Sequence, residues 1–168
     1  MDAPIISVIT VCYNVASSIE KTMLSVLNQT YKNLEYIIID GNSTDGTVDI
    51  IKRYAERLTF WISELDNGIY DAMNKGIVKA TGEFLIFMNA GDQFLNEKVL
   101  SKCLPYFLQE IDVISGIGYL SGQKWIPAKA SDLSVAFFLK RSLNHQATFI
   151  NRKLFQDNLY RTDLKIVG

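Results

Sequence analysis

Hydrophobic residues fall along this chain in two alternating rhythms. Nearly continuous apolar runs occupy residues 5–11, 34–39, 59–63 and 84–88. Runs this short, rich in Ile, Val and Phe, predict strands buried on both faces of a sheet. Between them, apolar residues recur at steps of three and four. Ile19, Met23, Val26 and Leu27 mark one helix; Ile69, Ala72, Met73, Gly76, Ile77 and Ala80 mark another. Ser17 and Glu20 have capping-box spacing and predict the start of the first helix. A further helix is expected over 48–58. Gly82 is placed to end the helix that begins near Ile69. Asn96 is placed to cap a fourth, which turns Val99, Leu100, Cys103, Leu104 and Phe107 inward. Residues 112–119 read as a fifth strand. Beyond it the rhythm weakens into a loop over 122–129, a short helix over 132–139, and short strands over 147–150 and 165–167. The strand–helix alternation predicts an α/β fold with a mostly parallel sheet.

The composition agrees with such a fold and removes several function classes. The 168 residues are 48% hydrophobic, enough for the core of one domain or of part of a larger one. Seventeen Lys and Arg balance 18 Asp and Glu, leaving a net charge of -1 that argues against nucleic acid as a partner. No apolar run reaches membrane-spanning length, and the N-terminus lacks the basic region of a signal peptide. A cytoplasmic location is therefore expected. Cys12 and Cys103 sit in apolar contexts and read as reduced core thiols.

Right-handed crossovers bring the loops that follow parallel strands to one sheet edge, where ligands of open α/β sheets bind. That edge would gather Tyr13, Asn14, residues 40–45, Glu64, Asp66 and residues 89–92. The last group has the composition of a turn, yet it ends a buried strand with a carboxylate, Asp92. Carboxylates from several loops repel unless something neutralises them. A divalent cation with oxygen ligands would do so and would also accept phosphate oxygens. Neither a G-x-G-x-x-G nor a Walker-type phosphate loop is present. His145 is the only histidine, which excludes multi-histidine zinc sites. No G-x-S-x-G elbow supports a serine triad.

Five segments, taken in order, carry a resemblance. They are Ser7-Val8-Ile9-Thr10-Val11-Cys12-Tyr13-Asn14; Ile37-Ile38-Ile39-Asp40-Gly41-Asn42-Ser43-Thr44-Asp45-Gly46-Thr47; Gly68-Ile69-Tyr70-Asp71-Ala72-Met73-Asn74-Lys75-Gly76-Ile77 with Ala80-Thr81-Gly82-Glu83; Asn89-Ala90-Gly91-Asp92; and Asn144-His145-Gln146-Ala147. Together they resemble family 2 glycosyltransferases and look most like the bacterial members that build capsule, exopolysaccharide or lipopolysaccharide. The resemblance implies a GT-A, Rossmann-like fold. Residues 1–120 would form its nucleotide-sugar-binding half, and residues 121–168 the start of an acceptor-side region. It implies transfer of a sugar from a nucleotide-sugar donor to a glycan or lipid-linked hydroxyl, usually with inversion and with Mg²⁺ or Mn²⁺. By position, Val11, Tyr13 and Asn14 would line the nucleobase pocket, with Asp40 beside base and ribose. Asn74 and Lys75 would approach the donor from the third helix. Asn89 and Ala90 would contact the ribose side. Asp92 would ligate the metal that bridges the pyrophosphate, where a hard cation stabilises the charge on the leaving group. The same match draws His145 toward the pyrophosphate or acceptor side. Asp45 reads as a partner of a helix N-terminus, and Asp66 and Asp71 as solvated or capping residues.

Three departures qualify the resemblance. Gly41 stands where the family often has a second acidic residue, which leaves the nucleobase open. Asn89 and Gly91 stand where it often has further aspartates, so metal binding rests on Asp92. The family's catalytic aspartate follows the segment matching residues 164–168, where this chain stops. The general base that an inverting transfer needs is thus expected outside it, since Asp157 and Asp163 do not match its position. A nucleotide-sugar-binding module without turnover is the alternative. Apolar surface left for a missing acceptor part would favour a homodimer, and a lipid-linked acceptor would favour peripheral association with the inner face of a membrane.

Overall fold

The computed structural model describes residues 3–120, 122–129, 131 and 144–163. Four parallel strands make most of one sheet: β1 (Ile6–Cys12), β2 (Leu34–Asp40), β3 (Phe60–Ser63) and β4 (Phe84–Phe87). The helices between and after them are α1 (Ile19–Leu27), α2 (Thr47–Arg53), α3 (Ile69–Lys79) and α4 (Val99–Phe107). Then come β5 (Val113–Ser115), a separate hairpin of β6 (Gly118–Leu120) and β7 (Gln123–Trp125), and β8 (Thr148–Asn151). β8 lies antiparallel between β4 and β5, giving the sheet order β3-β2-β1-β4-β8-β5. A strand from beyond residue 120 thus completes the sheet begun by the first half. The mostly parallel α/β architecture is the one the sequence predicts.

Every residue of β1 is buried, and its alternating side chains feed two cores. Ile6 and Val8, with Tyr36, Ile38, Phe84 and Ile86, pack under α1, α2 and α4. Ile9 and Val11, with Ile37, Ile39, Leu85 and Phe87, pack under α3. Each such side chain contributes about 1.5–3 kcal/mol by leaving water. Gly76 lets α3 settle on β1, since a Cβ there would stand 2.5 Å from Ile9 Cγ2.

Several local expectations give way to tertiary contacts. The capping box does not form. Ser18 is the N-cap of α1 and makes no side-chain cap bond, while Glu20 accepts from the Tyr54 hydroxyl at 2.8 Å and pairs with Arg53. The helix expected over 48–58 ends at Arg53, where Tyr54 leaves helical dihedrals; a single 3₁₀ turn, Ala55–Arg57, follows. Gly82 does not end α3, whose C-cap is Ala80. Its glycine is required by close approach to β1: a Cβ there would lie 2.8 Å from the Ile5 carbonyl oxygen. Asn96 Oδ1 accepts from the Lys98 N–H at 2.9 Å, one turn ahead of α4. The single strand expected over 112–119 breaks after Ser115, and part of the expected 122–129 loop pairs back as β7, with Gly122 at φ +79° in the turn. The strand expected over 147–150 is β8. The helix expected over 132–139 and the strand over 165–167 lie outside the described residues.

Candidate functional site

The strand register builds the site. Cys12, Asp40 and Ser63 are aligned neighbours, so the loops after β1, β2 and β3 leave the sheet at one level. β4 reaches the same edge by extension: Phe87 pairs with Ile9, and the Met88 N–H donates to the Ile9 carbonyl at 2.9 Å. Residues 89–92 follow directly.

The first two loops are stitched into one wall. The Asn14 N–H donates to Ser43 Oγ at 2.8 Å, and the Thr44 N–H returns to Asn14 Oδ1 at 2.9 Å. The Val15 and Ala16 N–H groups donate to Thr47 Oγ1 and Asp45 Oδ2, both at 2.9 Å. Asn14 and Asn42 hold left-handed backbone, at φ +50° and +66°, which asparagine tolerates better than most side chains. Asp45 Oδ1 also accepts from the Thr47 N–H at the start of α2. Behind this wall Asp40 is fully buried. Its oxygens accept from Ser43 Oγ (2.5 Å), Ser63 Oγ (2.6 Å) and the Ser43 N–H (2.9 Å). Asp40 therefore locks the loops, and a ligand would meet what it holds in place. Burial, reinforced by Asp40, pushes the Cys12 thiol far up and leaves it unreactive. Val11 is buried below, whereas Tyr13 is 62% exposed above.

The two α3 residues carry protein partners. Asn74 clamps the backbone of Tyr160, donating to its carbonyl at 2.8 Å and accepting its N–H at 2.9 Å. The Tyr160 ring stacks on Tyr70 and meets Phe87 edge-on. Lys75 Nζ lies 2.9 Å from both Glu64 Oε1 and the Leu65 carbonyl, and 3.8 Å from Asp71 Oδ2. The Glu64 bond heads the causes that raise its pKa. Both residues line a cavity of about 290 Å³ along β3, together with Ile39, Phe60 and Val78.

The loop after β4 is different in character. Its neighbour is a 3₁₀ turn, His145–Ala147, started by Asn144, whose Oδ1 accepts from the Gln146 N–H. Asn89 Nδ2 lies within hydrogen-bond distance of His145 Nε2, at 3.2 Å. Asn89 Oδ1 is left buried without a partner. The Gly91 N–H donates to Thr22 Oγ1 at 2.9 Å, with Gly91 at φ +107°, and the Asp92 N–H bonds the Asn89 carbonyl. Burial raises the pKa of Asp92, partly offset by the adjacent His145 and a side-chain bond from Gln146. Burial lowers the pKa of His145, against the pull of Asp92. No Lys or Arg pairs with Asp92 among the described residues. No cluster of three His, Cys, Asp or Glu suited to a metal occurs among them. The oxygens of Asp92 and the orphaned Asn89 Oδ1 nevertheless fit a hard divalent cation whose remaining ligands come from phosphate and water. The sequence singles out the segment 144–147 but gives Gln146 no role, and it leaves out Thr22, which no local signal marks.

The loop after β3 adds one more group. Asp66 Oδ1 accepts from the Gly68 N–H at 2.9 Å, a capping bond. A Cβ on Gly41 would stand 2.6 Å from Asp66 Oδ2 and 3.5 Å from Tyr13 Cδ2.

A family model described as glycosyl transferase family 2 matches residues 7–163. The chain belongs to that family. It is 34% identical over 161 residues to a PGL/p-HBAD biosynthesis glycosyltransferase of Mycobacterium bovis, covering 92% of this chain and 62% of that protein. It is 37% identical over 119 residues to the putative teichuronic acid biosynthesis glycosyltransferase TuaG of Bacillus subtilis, covering 69% and 47%. The chain thus spans less than two thirds of the length of these curated relatives. Among solved structures it is similar to S. aureus TarS 1-349 in complex with UDP, with a TM-score of 0.79 at 22% identity over 96% of this chain and 52% of that one. It is also similar to a mannosyltransferase of Pyrobaculum calidifontis in complex with GDP-Man and Mn²⁺, with a TM-score of 0.74 at 22% identity over 96% and 48%. At such identity these likenesses show the shared GT-A fold of this glycosyltransferase family member.

Proposed function

We propose that this chain supplies the donor site of a glycosyltransferase that moves a sugar from a nucleotide-diphosphate sugar to a hydroxyl of a glycan or lipid-linked acceptor. The carrying observation is the group at the end of β4. A half-buried carboxylate, Asp92, is paired with no Lys or Arg among the described residues, and the amide oxygen of Asn89 lies buried without a hydrogen-bond partner. These acceptors lie at the carboxyl edge of the sheet, where open α/β folds take their ligands. Asp92 and Asn89 would hold Mg²⁺ or Mn²⁺, which when bound supplies Lewis-acid stabilisation of the departing diphosphate. His145 and Gln146 orient these two side chains. Tyr13 and the wall formed by Asn14 and Ser43 would bound the base and ribose, with Asp40 and Val11 supporting them from below. Asn74 and Lys75 would act from behind, through Tyr160 and the loop after β3, and Ala90 would bound the ribose side. An inverting transfer needs a base for the acceptor proton; we assign no described residue to that role.

The likeness to TuaG, a putative teichuronic acid biosynthesis glycosyltransferase, favours cell-surface polysaccharide synthesis as the setting. No helix among the described residues is long and apolar enough to cross a membrane. A lipid-linked acceptor would then be met by peripheral association with the cytoplasmic face, and a homodimer would cover remaining apolar surface. Calorimetry with UDP and GDP, with and without Mn²⁺, tests the donor site. Mn²⁺-dependent binding of at least one is expected, weakened about tenfold or more in Asp92→Asn by loss of a charged ligand. Absence of metal-dependent binding of either would sink the proposal.

A further inference from the structure

We infer that the β6–β7 hairpin docks this protein on an anionic lipid surface through one exposed face. The inference rests on the lipid-linked acceptor proposed above and names the element that meets the membrane. The hairpin stands apart from the six-stranded sheet as a two-stranded sheet of its own. Its register sets Gly118 opposite Trp125 and Tyr119 opposite Lys124, and Ile117 and Ile126 flank that ladder. Successive side chains of a strand point to opposite faces, and exposure follows this alternation. Gly118 and Trp125 lie on the inner face, where Trp125 is half-buried. On the outer face Ile117 is 51% exposed, Tyr119 56% and Ile126 66%, with Lys124 exposed beside them. Two isoleucines and a tyrosine thus stand together in water, on a face where a hairpin ordinarily carries polar residues.

Charge selects the occupant. Residues 113–131 hold Lys124 and Lys129 and no Asp or Glu, and both lysines are exposed. A second copy seated face to face would bring Lys124 toward its own image. An anionic lipid surface answers every feature of the face. The isoleucines enter the acyl boundary, the tyrosine takes the interface with its hydroxyl toward the headgroups, and the lysines reach the lipid phosphates. The hairpin is also joined to the candidate site. The Gly116 N–H donates to the Ala147 carbonyl at 2.6 Å, and a Cβ on Gly118 would stand 2.9 Å from Asn144 Nδ2. Asn144 starts the turn whose His145 meets Asn89. Docking through the outer face therefore ties the loop after β4 to the membrane, where a lipid-linked acceptor would present its hydroxyl.

Co-sedimentation of the intact chain with vesicles, without nucleotide or metal, tests the inference. Vesicles of equal parts phosphatidylglycerol and phosphatidylcholine should bind it about tenfold or more tighter than phosphatidylcholine alone, since each lysine near an anionic surface contributes about fivefold. The double variant Ile117→Ser, Ile126→Ser should weaken binding to the anionic vesicles about tenfold or more. Lys124→Glu should do so about tenfold, independently of the apolar pair. All three positions are exposed, so circular dichroism should show the fold unchanged. No binding of the wild type to anionic vesicles, or binding that both variants leave unchanged, overturns the inference. A dimer that the double variant dissolves, with no vesicle binding by the wild type, assigns the face to a second copy and overturns it as well. These failures leave the donor site standing, because no nucleotide is present. Vesicle binding without any Mn²⁺-dependent nucleotide binding overturns the donor site alone.

Discussion

Replacing Glu35 by glutamine should cost about 2 kcal/mol of stability at neutral pH, and most of that cost should vanish in acid. Glu35 is 8% exposed at the opposite end of the sheet from the site. Its Oε2 accepts from Ser7 Oγ at 2.5 Å, the Thr81 N–H at 2.9 Å and the Gly82 N–H at 3.1 Å, and its Oε1 takes the Thr81 hydroxyl. These bonds tie β1 and β2 to the turn that leads into β4. A bond to a charged acceptor contributes about 1.5–3 kcal/mol net, against about 0.5–1.5 for a neutral one. The three bonds to Oε2, weakened by about 1 kcal/mol each, less the cheaper burial of a neutral amide, leave about 2 kcal/mol. Burial raises the Glu35 pKa, but the bonds from Ser7, Thr81 and Gly82 outweigh it and hold the net value below the usual carboxylate range. A depressed folded pKa gives stability that is full above the unfolded value, about 4.3, and is lost as pH falls through the folded value. Urea unfolding of wild type and Glu35→Gln from pH 7 down to pH 3 reads this directly. A gap independent of pH, or no gap at pH 7, refutes the charge-assisted role.

Asn74→Ala should speed amide exchange at Tyr160 by about thirtyfold, with amides of β1 unaffected, because both clamp bonds are lost and each contributes about 1 kcal/mol. Hydrogen exchange read by NMR checks it, and unchanged exchange at Tyr160 would show that the aromatic contacts alone hold the segment. His145 supplies a pH test of the site without metal. Its imidazole is pushed down by burial, so the unfolded chain binds a proton first, and stability falls as pH drops below about 6.5. Thermal unfolding at pH 7.5 and 5.5 should show that loss in the wild type and not in His145→Gln; equal losses would deny the buried neutral histidine.

The parallel strands were legible because a doubly buried strand is apolar at nearly every position, a pattern that turns and surface helices do not share. β4 carries it without interruption, and β1 and β2 break it only at Ser7, Thr10, Glu35 and Asp40. Caps and ends were less legible because short polar side chains are open to distant bidders. Glu20 has the spacing to close a capping box, yet Tyr54, 34 positions on, claims it. Gly82 has the look of a helix terminus, yet it is glycine because β1 passes against it. The break between β5 and β6 lies at Gly116 and Gly118, and the second glycine makes room for Asn144. At the site, residues 89–92 and 144–147 stood out through motif order, and the structure brings them into contact. Asn74 was read toward the donor, but its partner lies 86 residues away and no local pattern points to it.

The carboxylates at the sheet edge show where sequence reasoning about charge needed side-chain detail. Gathered on one rim, they suggested a cation as the common remedy. Most are settled within the protein. Asp40 is held by the hydroxyls of Ser43 and Ser63. Asp45 takes Thr47 and Ala16. Glu64 has Lys75, and Asp71 has the Asn67 N–H together with Lys75. The demand for a positive partner therefore narrows to Asp92, desolvated with no Lys or Arg paired to it among the described residues, and one oxygen of Asp66 is left without a hydrogen-bond donor among them. The first calls for a cation, which Mn²⁺ carried in with a diphosphate would supply. β2 and β1 lie between the strand ends that bear these two groups. Inorganic pyrophosphate with Mn²⁺ would answer the Asp92 end alone, so Asp66→Asn should leave its binding unchanged, and calorimetry of the variant with pyrophosphate and Mn²⁺ reads this; a weakened affinity would show that Asp66 takes part in holding the phosphates.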